Sequence, residues 1–386
     1  MSWKTLAFED CLERIKTPSK LQKSKYLGKG KFPVVAQEDS IINGYTNDEN
    51  LVFKINSPII IFGDHTRKLK YIDFNFVLGA DGAKIIKPKS DINVKFFFYY
   101  LTLMMPKSVG YARHYKLLKK IRFNIPSLAE QQSIAAKLDA TFAEINKLIE
   151  ASEINIKNIN KYIGRVTDYL IHNDIKNYKN FTLNDITNNI TCGVAKRPEY
   201  VDKGIIFLSA RNVKHGKMKW VNYKFISEEA HKILTKNSKP EVGDILYSRV
   251  GAGFGDAAII DRDVELSIFV SLTLIKVKPI VLNEYIFYYL NSPIIKELAR
   301  KNITGTGVGN LNVGAVKRFK IKLPDLKNQK LIIDKLKSLN ILGENIINNY
   351  IKKKNNYIAL KQSIYDSLLF NKKTKVAWMK QKQEQN

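Results

Sequence analysis

Asp64 and His65 stand side by side in FGDHTRKLKY (62–71), a pairing able to exchange a proton with a bound molecule. General acid–base work needs companions, and neither an HExxH run nor a second acidic constellation accompanies them. A lone Asp–His pair in a turn is more often structural. His114, His172, His215 and His231 are scattered, without metal-ligand spacing. Two glycine-rich stretches, GAGFGD (251–256) and GTGVG (305–309), invite a nucleotide-binding reading. That fingerprint needs a strand before the glycines and a helix opening on them. DILYSRV before Gly251 reads as a strand, but so does DAAIID after it. A glycine-rich hairpin is therefore expected, able to bring backbone N–H groups close to a phosphate. Asn-Pro-Pro-aromatic signatures, phosphate loops ending in Gly-Lys-Ser/Thr, and nuclease carboxylates spaced with a lysine are all missing from the sequence. No catalytic centre, metal site or resident cofactor is expected.

Basic residues interleaved with aromatics and amides offer better material. In the first half these are Arg67, Lys68, Lys70 and Tyr71, then Tyr111, Arg113, His114 and Lys116 of GYARHYKLLKK. In the second half they are Arg211, Asn212, Lys214, His215 and Lys217 of SARNVKHGKMKW, then Ser248 and Arg249. Asn302, Thr304, Asn310 and Asn312 of RKNITGTGVGNLN complete the set. Arginine reads guanine edges bidentately and asparagine reads adenine, while lysine and backbone amides position phosphates. As a group these loops are expected to touch DNA. The competing reading of any one of them is a solvated charged face.

The bulk charge points the same way. The net +28 fits an anionic partner, nucleic acid before acidic membrane. A Lys-rich proteome would raise the total everywhere, so the distribution decides. Residues 1–125 carry 22 basic and 11 acidic groups and residues 177–325 carry 23 and 14, whereas 126–176 carry 6 and 7. Residues 326–386 return to excess, with 13 against 4. A uniform bias would not skip one segment.

The elements that must position these loops follow from a repeat. IPSLAEQQSIAAKL (125–138) returns as LPDLKNQKLIIDKL (323–336). Pro126, Leu128, Gln131 and Ile134 reappear as Pro324, Leu326, Gln329 and Ile332. After each opening the period becomes heptad-like. The first seam runs through Ile134, Leu138, Phe142, Ile145, Ile149, Ile156, Ile159, Ile163, Val166 and Leu170, with a gap at Ser152. The second runs through Ile332, Leu336, Leu339, Ile346, Tyr350, Tyr357, Leu360, Ile364 and Leu368, with gaps at Gly343 and Lys353. Two long helices are predicted, about 127–173 and 326–370, each on the order of 65–70 Å. The cheapest burial for such a seam is the other copy, antiparallel in the same chain. FFFYYL (96–101) and YIFYYL (285–290) extend the duplication as short helices packed on a sheet. FPVVAQ, LVFKI, PIIIFGD, IIFLSA, GDILYSR, DAAIID and LTLIKVKP read as strands.

The expected fold is therefore α+β, with two mixed globular domains separated by two long antiparallel helices forming an intramolecular coiled coil, a pseudo-two-fold repeat. Its boundaries are a first domain at 1–125, a first helix at 126–176, a second domain at 177–325, a second helix at 326–371 and a basic tail at 372–386. No apolar run approaches the roughly 20 residues that cross a bilayer, and MSWKTLAFEDCLERIK lacks the apolar core of a signal peptide. Cys11 and Cys192 cannot build a disulfide framework. A cytoplasmic protein without membrane partners is expected.

The doubled P-x-L-x-x-Q-x-x-I helix start, placed after two unlike α+β regions, resembles the specificity subunit of type I restriction–modification systems. The resemblance covers essentially the whole chain. In the first half it is carried by GKGKFPVVAQE, IIIFGDHTRKLKYIDFNFVLGADGAKII and IPSLAEQQSIAAKLD. In the second it is carried by GIIFLSARNVKHGKMKW, VGDILYSRVGAGFGDAAII and KIKLPDLKNQKLIIDKL. The family implies a non-catalytic reader of double-stranded DNA. Each domain would recognise one half of a bipartite asymmetric target, and the helices would set the spacing. Two modification (methyltransferase) subunits would dock near the helix starts, and restriction (helicase-nuclease) subunits would complete the complex. S-adenosylmethionine, ATP and Mg would then sit on those partners. One departure is visible: Asn328 stands where the first copy has Glu130, so the capping contact should differ. Two other readings remain at this point, an autonomous S-adenosylmethionine-dependent methyltransferase built on GAGFGD and a coiled-coil adaptor holding RNA or membrane.

Overall fold

The computed structural model describes residues 3–80, 82–110, 112–173, 177–236, 239–251, 253–304 and 309–370. Tyr111, most of GTGVG and the tail from 372 lie outside them, as does the side chain of Thr304. The chain folds as two compact units. One draws on residues up to Ser152 and from Lys352 onward, the other on Glu153–Ile351.

Each unit is α+β and is closed by the same device. In the first, Lys4–Ala7 pairs antiparallel with Arg122–Ile125, the strand just before the first long helix. In the second, Lys179–Thr182 pairs antiparallel with Lys320–Leu323. Inside the first unit a five-stranded sheet contains Phe76–Gly79 and Phe32–Val35 at its centre. A three-stranded antiparallel sheet is centred on Ile59–Gly63, where Ile59, Ile60, Ile61 and Phe62 are all buried. The unbroken apolar run reflects cover on both faces. Inside the second unit, Thr187–Cys192, Leu272–Val277, Ile245–Ser248 and Ala257–Ile259 form an antiparallel four-stranded sheet in that order. A three-stranded sheet of Lys224–Ile226, Ile205–Leu208 and Leu266–Ile268 completes it. Every strand read from the sequence is present.

FFFYYL and YIFYYL lie on helices, Val94–Leu103 and Asn283–Asn291. Tyr100 and Tyr289 occupy matched places, both fully buried. Tyr100 accepts from the Asn124 amide at 3.3 Å, and Tyr289 donates to the Lys320 carbonyl at 2.9 Å.

The repeated helix opening has a structural cause in each unit. Gln131 is buried; its amide nitrogen donates to the carbonyls of Pro126 at 2.9 Å and Asp91 at 3.1 Å. Its Oε1 accepts from the Asn93 amide at 2.7 Å. Gln329 repeats the set on Pro324 at 2.9 Å, Ile280 at 3.1 Å and the Leu282 amide at 2.9 Å. Asn93 and Leu282 immediately precede the two short helices. Each glutamine thus ties the start of a short helix to the start of a long one, satisfying backbone groups that would otherwise be buried unpaired.

The long helices span Leu128–Asp168, continued by a π turn at Tyr169–Asn173, and Leu326–Leu369. Their caps differ as expected. Ser127 Oγ accepts from the Glu130 amide at 3.4 Å, and Glu130 itself takes the Trp3 indole N–H at 3.2 Å. Asp325 accepts from both the Asn328 backbone at 2.8 Å and the Asn328 side chain at 3.1 Å.

In each unit the helices pair antiparallel. In the first, the rings of Phe142 and Tyr365 pack edge to face at 4.6 Å, and Lys361 reaches Asn146 at 3.0 Å. In the second, a Cβ placed on Gly343 would lie 2.3 Å from the Ile163 side chain, so the predicted seam gap is where Ile163 packs against the second helix. The buried face drifts from the heptad reading. Ile346 and Leu360 are exposed, while Ile333, Tyr365 and Leu369 are buried. A helix of 3.6 residues per turn rotates off a 3.5-residue stripe.

Candidate nucleic-acid interface

In the second unit the predicted motif SARNVKHGKMKW makes a two-stranded hairpin whose Val213 and Met218 are buried in the core and whose Lys217 is ion-paired with Glu344. Val213–Lys214 pairs with Lys217–Met218, and the turn residues His215 and Gly216 have φ of 53° and 72°. Two left-handed residues in succession are what a two-residue hairpin turn demands, and His–Gly supplies the glycine where it helps most. Lys214, His215 and Lys217 are exposed on this hairpin. Its base is fixed from inside. Asp256 accepts the His215 backbone N–H at 2.8 Å and is ion-paired with Lys296. Asn212 is buried, donating to the carbonyls of Lys219 at 2.9 Å and Val221 at 3.1 Å.

Beside the hairpin opens a cleft of about 600 Å³. Its described lining contains Arg197, Arg211, Lys214 and Lys224, the rings of Tyr200, Phe207, Tyr223 and Phe269, and no carboxylate. Arg197 lies over Phe269 at 5.6 Å and Lys224 over Tyr200 at 5.9 Å. The GAGFGD segment forms one wall. It joins the antiparallel strands Ile245–Ser248 and Ala257–Ile259, in keeping with the hairpin read from the sequence, and among the described residues no helix opens on it. A Cβ at Gly253 would stand 2.9 Å from the Val213 carbonyl, so glycine permits the close approach that shapes the wall. Cations with no carboxylate among the described lining residues, set among ring faces, suit phosphate and base contacts.

Several predicted residues turn inward instead. Arg249 is buried and donates to the carbonyls of Leu311 at 2.6 Å and Val270 at 3.2 Å, bracing the hairpin from behind. Ser248 is fully buried, its hydroxyl 3.4 Å from the Val250 carbonyl. Asn302, half-buried, donates to the Leu298 carbonyl at 2.9 Å, while Asn312 stays exposed and spends its Oδ1 capping a helical turn, accepting from the Gly314 amide at 2.8 Å. Asn310 is exposed in a two-stranded ribbon formed by Ile303–Thr304 and Asn310–Leu311.

The first unit shows the same division. Lys70 is buried and spends its ammonium on the Ser40 carbonyl and, at 2.8 Å, on Asn43. Burial pushes its pKa down to about 8, against the opposing pull of Glu38 and Asp39. His114 is fully buried between the Asp64 carbonyl at 3.0 Å and the Val109 amide at 3.3 Å. Those partners assign the proton to Nδ1. Asp64 is buried too, accepting the Tyr115 amide at 2.7 Å, so the Asp–His motif organises a turn.

Arg113 and Lys116 are exposed. Arg67 occupies the left-handed region at φ 60° and donates to the Pro106 carbonyl at 3.0 Å; Lys68 is ion-paired with Asp39. Tyr71 is half-buried, with the Lys95 ammonium 4.2 Å from its ring centre. Arg67 and Lys68 line a cavity of about 460 Å³ with Lys361 and Tyr365, and no carboxylate is in its described lining.

Of the motif residues at the helix starts, Pro126, Gln131, Ile134, Pro324, Gln329 and Ile332 face inward, whereas Leu128 and Leu326 are 40% and 45% exposed. Sequence reasoning missed Arg197, Tyr200, Lys224 and Lys361. The first three lie in a segment, RPEY to NYKF, whose basic and aromatic residues alternate too sparsely to stand out. Among the described residues no three His, Cys, Asp or Glu side chains gather as a metal site, and no helix is long and apolar enough to cross a membrane.

Comparison with known proteins bears on this geometry. The family model of the type I restriction modification DNA specificity domain matches residues 2–158 and 175–354. The type I restriction enzyme MjaVIII specificity subunit of Methanocaldococcus jannaschii is 23% identical, over 89% of this chain and 86% of its own. The EcoR124I/EcoR124II specificity subunit of Escherichia coli is 24% identical, over 91% of each. A chain from a solved structure on complex assembly and conformational transition of the type I R-M system superposes with a TM-score of 0.72 at 13% identity. It covers 95% of this chain and 97% of that one. The two family matches fall on the two halves that share the glutamine tie and the closing strand pair, and the chain belongs to the type I restriction-modification DNA specificity family.

Proposed function

We propose that this chain is the DNA-reading subunit of a type I restriction–modification complex, in which each globular domain recognises one half of a bipartite, asymmetric target. The carrying observation is one scaffold built twice with different cation-bearing surfaces. The strand pair, the short helix and the glutamine tie recur, whereas the exposed basic groups do not. Arg197, Arg211, Lys214 and Lys224 of the second unit, and Arg67, Lys68, Arg113 and Lys116 of the first, form the contacting set. Buried Lys70, His114, Asn212, Ser248 and Arg249 hold the loops in shape. The long helices set the spacing between half-sites. Leu128 and Leu326, exposed at matched positions, seat two modification subunits, which supply S-adenosylmethionine and the methyl transfer. Restriction subunits supply ATP-driven cleavage. The compartment is the cytoplasm, where the target DNA lies.

The test is replacement of residues 1–125 by the equivalent domain of another family member, followed by methylome sequencing of cells carrying the cognate modification subunit. One half of the methylated sequence should change and the other persist. Alteration of both halves would refute the assignment of one domain to one half-site.

A further inference from the structure

Each short helix meets its long helix through an ion pair, and the two pairs have opposite polarity. In the first unit Lys95 reaches Asp139 at 3.4 Å. In the second Glu284 is ion-paired with Lys337. The glutamine ties establish that these positions correspond. Lys95 and Glu284 each follow by two the residue whose amide the glutamine accepts, and Asp139 and Lys337 each follow their glutamine by eight. The rest of the seat is kept: Leu138 and Leu336 are buried at matched places, and Tyr99 and Tyr288 both reach the long helix. The Tyr99 hydroxyl donates to Asp139, and that of Tyr288 accepts from Asn340 at 3.5 Å.

We propose that the reversed pair is a matching code between each recognition domain and its helix. The seat on the first long helix accepts a domain with a cation at this position, and the seat on the second accepts one with an anion. A domain moved to the other seat would bring Lys95 against Lys337 or Glu284 against Asp139. Tyr99 would also lose its carboxylate acceptor. The side chains are 32% and 44% exposed in the first pair and 45% and 39% in the second. Each contact alone is therefore modest, but an exchange reverses both at once. The inference does not depend on what the domains read.

The experiment uses the full-length chain with residues 1–125 and 177–325 trading places, compared with the same chimera carrying Asp139→Lys and Lys337→Asp. The exchanged chain should melt about 2–5 °C below the native one, and the two charge changes should restore at least half of that. Absence of any recovery overturns the code. Should the chimera fail to fold, a cycle in the native chain decides. Glu284→Lys and Lys337→Glu should each lower the midpoint by about 1–3 °C, with the double variant regaining most of the loss. A double variant as unstable as the two losses summed would overturn the proposal.

Discussion

Replacing Gln329 by alanine should destabilise the second unit through a countable set of contacts. The side chain is fully buried and makes three hydrogen bonds to backbone, on Pro324 at 2.9 Å, Ile280 at 3.1 Å and Leu282 at 2.9 Å. A net value of about 0.5–1.5 kcal/mol per bond gives roughly 2–4 kcal/mol, and the buried backbone groups left without partners place the loss toward the upper end. Gln329→Glu separates the donors from the acceptor. It keeps an oxygen for Leu282 but aims the other at two carbonyls, so its folded pKa must lie above that of the unfolded chain. The folded state then holds the proton longer, and the variant loses stability as pH rises through the ordinary glutamate range toward that raised pKa. Urea melts followed by calorimetry read both effects. Gln131→Ala should act likewise on the first unit. If Gln329→Ala costs less than about 0.5 kcal/mol while capture of the modification subunit fails, the repeated motif is a docking surface and the scaffold argument is wrong.

Arg211→Ala should weaken discrimination at one half-site by about 1–3 kcal/mol if it reads a base, measured by competition binding over a substituted target series; a uniform loss on every sequence makes it a phosphate contact. Lys70→Met should lower stability of the first unit by about 1–2 kcal/mol in urea melts, by removing two internal acceptor contacts, and leave the specificity of the folded protein unchanged. His172 sits against Ser292 at 3.1 Å, and burial, aided by Lys322, pushes its pKa down to about 4. The unfolded chain therefore binds the extra proton first. The second unit should lose on the order of 1–3 kcal/mol between pH 6.5 and 4, after discount for solvent screening. His172→Asn should flatten that slope in melts across the range.

The large features of the fold were legible because they rest on periodicity. The apolar period marked both long helices, and short apolar runs rich in β-branched residues marked the strands of both domains. The glycine-rich hairpin was legible because strand character continues through DAAIID. What could not be read is which polar residue faces which way. Arg249 and Arg211 are alike in composition and neighbourhood, yet one braces the hairpin on two carbonyls and the other lines the cleft. Lys70 lies in the strand Leu69–Ile72 and is buried on Ser40 and Asn43, whereas Lys68, two residues earlier, precedes the strand and pairs with Asp39 at the surface. Two residues apart would share a face in a continuous strand, so alternation could not have told them apart. The cleft itself joins residues near 197, 211, 224 and 269, a proximity that exists only after the sheets assemble. The function of Gln131 and Gln329 was hidden for the same reason. Their repetition was visible, but their partners lie about forty to fifty residues upstream.

Tyr365, Leu369 and Phe370 belong to the same apolar core as Phe8, Phe96 and Phe123. A core begun by residues before Ile125 is thus completed by residues made more than two hundred positions later. At about 5–20 residues per second, the opening domain waits tens of seconds with that face bare. A premature stop in the second long helix therefore injures the first unit, and a chaperone or a waiting subunit has a longer window on that unit than on the other.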